Sequence, residues 1–280
     1  MQIINDIPAL RAYRQSLTQA GKTLALIPTM GALHEGHLSL VKAGLEKADN
    51  AIVSIFVNPT QFGPNEDFDA YPRNVEADCE KLASVGASAV YVPAVDTMYP
   101  DPFFTTIHVD QITEPLEGAC RPGHFDGVAT IVAKLLLQTL PDIALFGEKD
   151  YQQLQLIKTM ARDLDIPVDI TGVPTVRDKN GLALSSRNAY LDDREYDIAT
   201  TLNKTLFTLR DRLKAGEDIT TIKQDAIDTL TANGFRSVDY VDIRHADTLA
   251  AIDQFDPAVP MRILAAAYLG KARLIDNIAV

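Results

Sequence analysis

Cysteine is scarce in this chain: Cys79 and Cys120 are the only two among 280 residues, and they stand far apart. Two such thiols neither frame a disulfide scaffold nor supply a metal site, so both read as buried or incidental. Basic residues are also outnumbered. Lys and Arg total 26 against 38 Asp and Glu, a formal net charge of −12. That balance argues against broad contact with nucleic acid, whose binders neutralise phosphates with clustered Lys and Arg. Small phosphates remain open, since a few local cations and helix ends suffice for them. No apolar run approaches the roughly 20 residues that a membrane helix needs. The opening stretch MQIINDIPALRAYRQ lacks the basic-then-apolar order of a signal peptide. A cytoplasmic protein with no membrane partner is the expectation.

What is present is ordinary for a globular protein, 46% hydrophobic and 23% charged, and long enough for one full domain plus a smaller one. The informative stretch is residues 23–40, TLALIPTMGALHEGHLSL. Residues 23–29 read as a buried parallel strand, and from His37 the apolar spacing of Leu38, Val41, Leu45 and Ala48 is helical. Between them, Gly31 and Gly36 allow a ligand close to the backbone. His34 and His37, three apart, project to one side of the helix's first turn. Unpaired N–H groups and a partial positive charge at that helix end suit a phosphate. Two other readings stay open from these residues alone: a zinc pair, although no third ligand stands nearby, and ordinary helix-end histidines.

The rest of the chain reads as alternating strands and helices. A helix is expected over 3–20, a second strand over 51–57, a helix over 74–85 and a strand over 87–92. A short strand is expected at 104–109. A helix carrying Val128, Ile131, Val132, Leu135 and Leu136 ends at Pro141, and further strands follow at 143–146 and 168–173. Asp150 with Gln153 resembles a capping box. Strand–helix–strand order predicts a doubly wound sheet whose ligand crevice lies beyond the carboxyl ends of the strands, near residues 28–37 and 58–62. The long loop 58–73 reads as functional, with Asn58 and Gln61 as amides suited to a polar small molecule. Arg121, His124 and Asp126, before a second helix start, suit an anion, as does Lys149 at a strand-to-helix turn. Asp78 reads either as a surface acid or as a magnesium ligand. After Pro174 the pattern changes: Ser185, Ser186 and Arg187 share one loop able to hold phosphate oxygens. Two helices and strands at 238–243 and 262–268 then form a small α+β domain. The expected division is residues 1–175, a Rossmann-like α/β parallel-sheet domain, and 176–280, a smaller C-terminal α+β lid.

The stretches PTMGALHEGH, SIFVNPTQF, AYPR, EGACRPGHFDGV, FGEKDYQQL, LALSSRN, ADTL and ARLIDN together carry a specific likeness. Along essentially its whole length the chain resembles the pantoate–β-alanine ligase (pantothenate synthetase) family. The HxGH element alone would indicate only the wider nucleotidyltransferase superfamily, whose lysine-rich KMSKS loop is replaced here by Ser185-Ser186-Arg187. The resemblance implies a homodimeric, Mg²⁺-dependent enzyme that condenses (R)-pantoate with β-alanine through a pantoyl adenylate, releasing AMP and pyrophosphate. It implies ATP contacts from Met30, Gly31, Ala32, Leu33, His34, Glu35, Gly36 and His37. Gly147, Glu148, Lys149 and Asp150, with Val176, Leu184, Ser185, Ser186 and Arg187, would complete the ATP site. His37, His34 and Lys149 would serve catalysis. Gln61 and Gln153, joined by Asn58 and Arg121 on their residue types, would hold pantoate and β-alanine, and Asp78 falls near a family magnesium position. Rival readings are a cytidylyltransferase or pantetheine-phosphate adenylyltransferase, which would want more cations, and an ATP-sensing module without catalysis.

Overall fold

The computed structural model describes residues 1–64 and 68–280, so the middle of the loop 58–73, singled out above, lies outside the described residues. The first unit runs β1 (Gln2–Ile4), α1 (Ile7–Gln19), β2 (Leu24–Thr29), α2 (Glu35–Lys47), β3 (Asn50–Ile55), α3 (Val75–Ser84) and β4 (Ala89–Tyr91). It continues through α4 (Val95–Met98), α5 (Glu117–Cys120), α6 (His124–Thr139), β5 (Ile143–Gly147), α7 (Tyr151–Asp163) and β6 (Asp169–Val173). The second unit holds α8 (Asp193–Lys214), α9 (Ile219–Ala232), β7 (Ser237–His245), β8 (Met261–Leu269) and β9 (Ala272–Ala279).

Six parallel strands form one sheet in the order β1-β4-β3-β2-β5-β6. The chain leaves β2 toward β3 on one side and returns to β5 on the other, so the strand order reverses between β2 and β5. In open α/β sheets the crevice at such a reversal, outside the carboxyl ends of the strands, is where ligands bind. Met30 follows β2 there and Lys149 follows β5. Both faces of the sheet are covered, which is why β2, β3 and β5 read as continuous apolar runs. The second sheet is antiparallel, β7-β8-β9, and packs on α8 and α9 around a separate core from Leu182 to Ile278.

Four sequence expectations need correction. Residues 2–4 form a strand and not the start of a helix. Asp6 caps α1 by accepting from the Ala9 N–H at 2.8 Å, and Ile4 is drawn into the core beside β4. The expected strand at 104–109 is absent, because Phe104 is 90% exposed and the Ile107 N–H goes to the Thr130 hydroxyl at 2.9 Å. Asp150 makes no cap bond, since the chain enters α7 through a tight turn at Glu148–Asp150. The second sheet gains β9, where Arg273, Asp276 and Asn277 interrupt the apolar pattern because they bond to the first unit and to the 177–181 turn.

Candidate active site

The helix start at α2 is built by its own histidines. His34 is the N-cap, and its Nδ1 accepts from the Gly36 N–H at 3.1 Å; His37 Nδ1 accepts from the His34 N–H at 3.3 Å. An imidazole nitrogen that accepts a backbone N–H carries no proton, so each neutral ring keeps its proton on Nε2. The ring centroids lie 4.2 Å apart, and a side chain at position 36 would meet His34 ring atoms at 2.9 Å, so glycine there lets the His34 ring fold back onto its own helix start. Burial, then the charges of Lys149 and Lys81 against that of Asp150, lowers the His34 pKa to about 4. Burial, then His34, Lys149 and Lys81, lowers that of His37 to about 3. At neutral pH both are uncharged and present Nε2–H as a hydrogen-bond donor. His108 is the opposite case: its bonds to Asp126 and Asp110, 2.7 and 3.0 Å away, raise its pKa. In the ligand-free protein, ¹H–¹³C NMR from pH 8 to 5.5 should therefore show flat Hε1 shifts for His34 and His37 and a midpoint above 6.5 for His108. A midpoint near 6.5 for His37 would mean a solvated ring.

A cleft of about 220 Å³ opens at the strand-order reversal. Met30, His34, Gly36, His37, Asn58 and Gln61 line one side of it; Gly147, Lys149, Asp150 and Gln153 a second; Val176, Leu184, Ser185, Ser186 and Arg187 a third. An adjoining cleft of about 240 Å³ shares Lys149, Asp150, Gln153, Ser185 and Arg187 with it and adds Arg121 and His124. Each alone is small for a nucleotide with a second substrate, whereas the two together reach the usual size of such sites. Not every expected contact residue faces these spaces. Glu35 is ion-paired with Lys42 at 2.7 Å, and Glu148 takes Arg262 at 3.0 Å. Gly31, Ala32 and Leu33 form the turn that leads into the histidines: the Gly31 N–H goes to the Thr29 hydroxyl, while Ala32 and Leu33 bond to Asp78 and Lys81. Asp126, grouped above with Arg121 and His124, turns to His108.

The amide side of the cleft is tightly held. Asn58 is 1% exposed: it donates to the Gly127 carbonyl at 3.1 Å and to Gln61 Oε1 at 3.2 Å, and its oxygen accepts from the Tyr99 hydroxyl at 2.7 Å. Its influence on a ligand therefore runs through Gln61, whose Nε2 rests on Met30 Sδ at 3.0 Å. A side chain at Gly127 would stand 2.4 Å from the Thr60 carbonyl, so glycine there lets α6 press against the Gln61 turn. His124 donates from Nδ1 to the Gln61 carbonyl at 2.8 Å, leaving Nε2 to accept from Arg121 at 3.0 Å. On the phosphate side, the Asn277 amide donates to the Glu148 and Lys149 carbonyls at 2.9 and 2.8 Å and fixes the Lys149 turn from the second unit. Ser185 Oγ accepts from the Arg187 N–H at 3.2 Å, and the Tyr71 hydroxyl lies 3.5 Å from Ser186 Oγ. Sequence reasoning misses Lys81, Tyr71 and Asn277 as parts of the site. The AYPR and ARLIDN stretches are the available signals for the last two.

The pantoate–β-alanine ligase family model matches residues 2–279 of the chain. The chain belongs to this family. The pantothenate synthetase of Paramagnetospirillum magneticum is 55% identical over 280 residues, covering 100% of this chain and 98% of that one. That of Novosphingobium aromaticivorans is 51% identical over 284 residues, covering 100% and 99%. Among solved structures, pantothenate synthetase from Thermus thermophilus aligns with a TM-score of 0.91 at 41% identity, covering 99% of each chain. Pantoate–β-alanine ligase from Francisella tularensis, complexed with beta-gamma ATP and β-alanine, aligns with a TM-score of 0.83 at 36% identity, covering 100% of this chain and 97% of that one. As a pantoate–β-alanine ligase, the chain is an enzyme that joins pantoate to β-alanine using ATP, on an α/β fold shared with these relatives.

Proposed function

We propose that the reaction runs through a pantoyl adenylate in the cleft between β2 and β5, with His37, His34 and Lys149 as its principal catalytic residues. The observation that supports this most is the pairing of two neutral Nε2–H donors with Lys149, Ser185, Ser186 and Arg187 around one cavity. A carboxylate oxygen of (R)-pantoate attacks the α-phosphorus of ATP, the bond to the β-phosphate oxygen breaks, and pyrophosphate leaves with that electron pair. Charge grows on phosphate oxygens, where prealigned donors in a dry site act most strongly. Neutral histidines suit this step, since no proton has to be transferred in it. The β-alanine amine then attacks the acyl carbonyl, AMP departs, and the amine proton is lost to solvent.

Pantoate and ATP are both anions, and bringing them into line is the larger task; well-oriented pairs gain roughly 7–11 kcal/mol from positioning. Gln61 and Gln153 present uncharged amides that bind a carboxylate without protonating it, and Arg121, held by His124, borders the adjoining cleft where β-alanine's carboxylate would sit. Mg²⁺ enters this reading as the ion that accompanies ATP's phosphates. No group of three or more His, Cys, Asp or Glu side chains among the described residues is arranged to hold a metal, so no step is assigned to a protein-held ion.

The reading includes a homodimer and a cytoplasmic location. No described helix is long and apolar enough to cross a membrane. The adenylate route is tested by isotope exchange between pyrophosphate and ATP. Exchange should require pantoate and proceed without β-alanine. Exchange that needs β-alanine as well would indicate a concerted reaction without the adenylate.

A further inference from the structure

We infer that Asp78, with Lys81 one helical turn further along α3, is a positioning residue that shapes the turn into the HxGH helix, and that Asp78 is not a metal ligand.

The Asp78 side chain is 2% exposed, and both of its oxygens are engaged: Oδ2 accepts from the Ala32 N–H at 2.9 Å and Oδ1 from the Leu33 N–H at 2.8 Å. Lys81 donates from Nζ to the Leu33 carbonyl at 2.7 Å. Helix α3 thus grips the backbone between Ala32 and His34 by its N–H groups and by a carbonyl at once. Residues three apart on a helix share a face, so one rigid element supplies both contacts. The turn needs such a grip. Gly31 has φ +84°, and Ala32, which carries a side chain, sits at φ 51°, in the left-handed region that only glycine adopts without steric cost. Successive N–H groups in this conformation form a concavity for an anion, and the Asp78 carboxylate fills it from within the protein.

The same contacts leave the carboxylate poorly suited to a cation. Magnesium demands near-octahedral oxygen ligation at short range and keeps much of its water. Here the carboxylate is enclosed, each oxygen already accepts an N–H, and the ammonium of Lys81 sits on the adjacent peptide. A side chain at Gly31 would lie 3.1 Å from Asp78 Oδ2 and 3.1 Å from Ile55 Cγ2, so the packing around the carboxylate has no spare room. The residue after the gripped turn is His34, the α2 cap, whose N–H in turn orients His37. A displaced turn moves both imidazoles without touching any substrate-binding side chain.

The test uses the full-length enzyme with Asp78→Asn. Asparagine keeps the shape but points an NH₂ at one of the two N–H groups. Pantoate-dependent pyrophosphate–ATP exchange should slow by about thirtyfold or more at saturating substrates. The Mg²⁺ concentration giving half the maximal rate should stay within twofold of wild type, and the Hε1 signals of His34 and His37 should move while those of His108 and His245 do not. A half-point raised tenfold or more, with the rate restored by excess Mg²⁺, would make Asp78 a metal ligand and overturn the inference; so would an unchanged rate. Should Asp78→Asn fail to fold, Lys81→Met carries the test, because it removes one contact and keeps the carboxylate. Its rate should fall about tenfold with the Mg²⁺ half-point unmoved, whereas an unaltered rate and unaltered histidine signals would overturn the grip.

Discussion

Replacing His37 with alanine is expected to lower the rate of adenylate formation by about 10²–10³, the loss typical of removing one donor aimed at developing charge. ATP affinity should change much less, because the donor strengthens its bond mainly as charge moves onto the phosphate. The arrangement of the residue supports that size. Its ring is half-buried and uncharged, its proton is held on Nε2 by the backbone bond to Nδ1, and Lys149 is close enough to depress its pKa. Alanine also removes the acceptor for the His34 N–H, so the capping of α2 weakens. His37→Gln separates the two effects. Glutamine restores a neutral donor at comparable reach and should recover part of the rate, measured in a single turnover with pantoate and ATP. Equal losses in ATP binding and in rate would assign His37 to ground-state binding.

Replacing Arg273 with methionine is expected to destabilise the protein by about 3–5 kcal/mol, the cost of leaving a buried charge without its partner. Arg273, on β9, meets the Glu117 carboxylate with two parallel bonds of 2.8 Å, and the Tyr240 hydroxyl, on β7, donates to the same carboxylate at 2.7 Å. Glu117 belongs to α5 of the first unit, so this cluster fastens the C-terminal sheet beside the shared clefts. Burial pushes the Glu117 pKa up, but the bonds and charge of Arg273 outweigh it and hold the carboxyl below the usual range. A lowered carboxylate pKa stabilises the fold at pH above the unfolded value, and the contribution is lost as pH falls through the folded one. Chemical denaturation near pH 7 should show the full loss, and acidification below about pH 4 should shrink the difference between wild type and variant. The double variant Glu117→Gln, Arg273→Met should recover part of the stability, since the enclosed Glu117 charge is gone, while Asp239 loses its 2.8 Å bond to Arg273 and Arg121 its 3.7 Å contact with Glu117. A loss under about 1 kcal/mol would mean that water reaches and screens the pair.

The parts of the site legible in the sequence are those whose chemistry is local. The apolar run before Met30 and the helical spacing after His37 place strand, turn and helix, and the strand order then puts Gln61 and Lys149 at the same mouth, whereas Ser185 joins them only through the family resemblance. The reciprocal bonds of His34 and His37 depend on a backbone turn that no periodicity encodes. Lys81 gives no signal of its own because a lysine on a helix is ordinarily solvated, and only the fold brings its ammonium to the Leu33 carbonyl. Asn277 is hidden for a related reason: β9 alternates poorly, since Arg273, Asp276 and Asn277 face the first unit and the 177–181 turn instead of solvent. The strand expected at 104–109 shows the reverse error, because Phe104 and Thr105 have the propensity but no neighbouring strand offers them pairing. Asp150 and Gln153 have the spacing of a capping box, but the tight turn at Glu148–Asp150 carries Lys149 to the cleft and leaves the box unformed.

The measurement that tests the central claim most directly is transfer of ¹⁸O from the carboxylate of labelled (R)-pantoate, with Mg²⁺, ATP and β-alanine present. The account predicts pantothenate as product and one ¹⁸O in the phosphate of AMP, because the attacking carboxylate oxygen stays on phosphorus when the amine displaces it. Unlabelled AMP, or ADP with label in inorganic phosphate, would contradict attack at the α-phosphorus and with it the roles proposed for His37, His34 and Lys149.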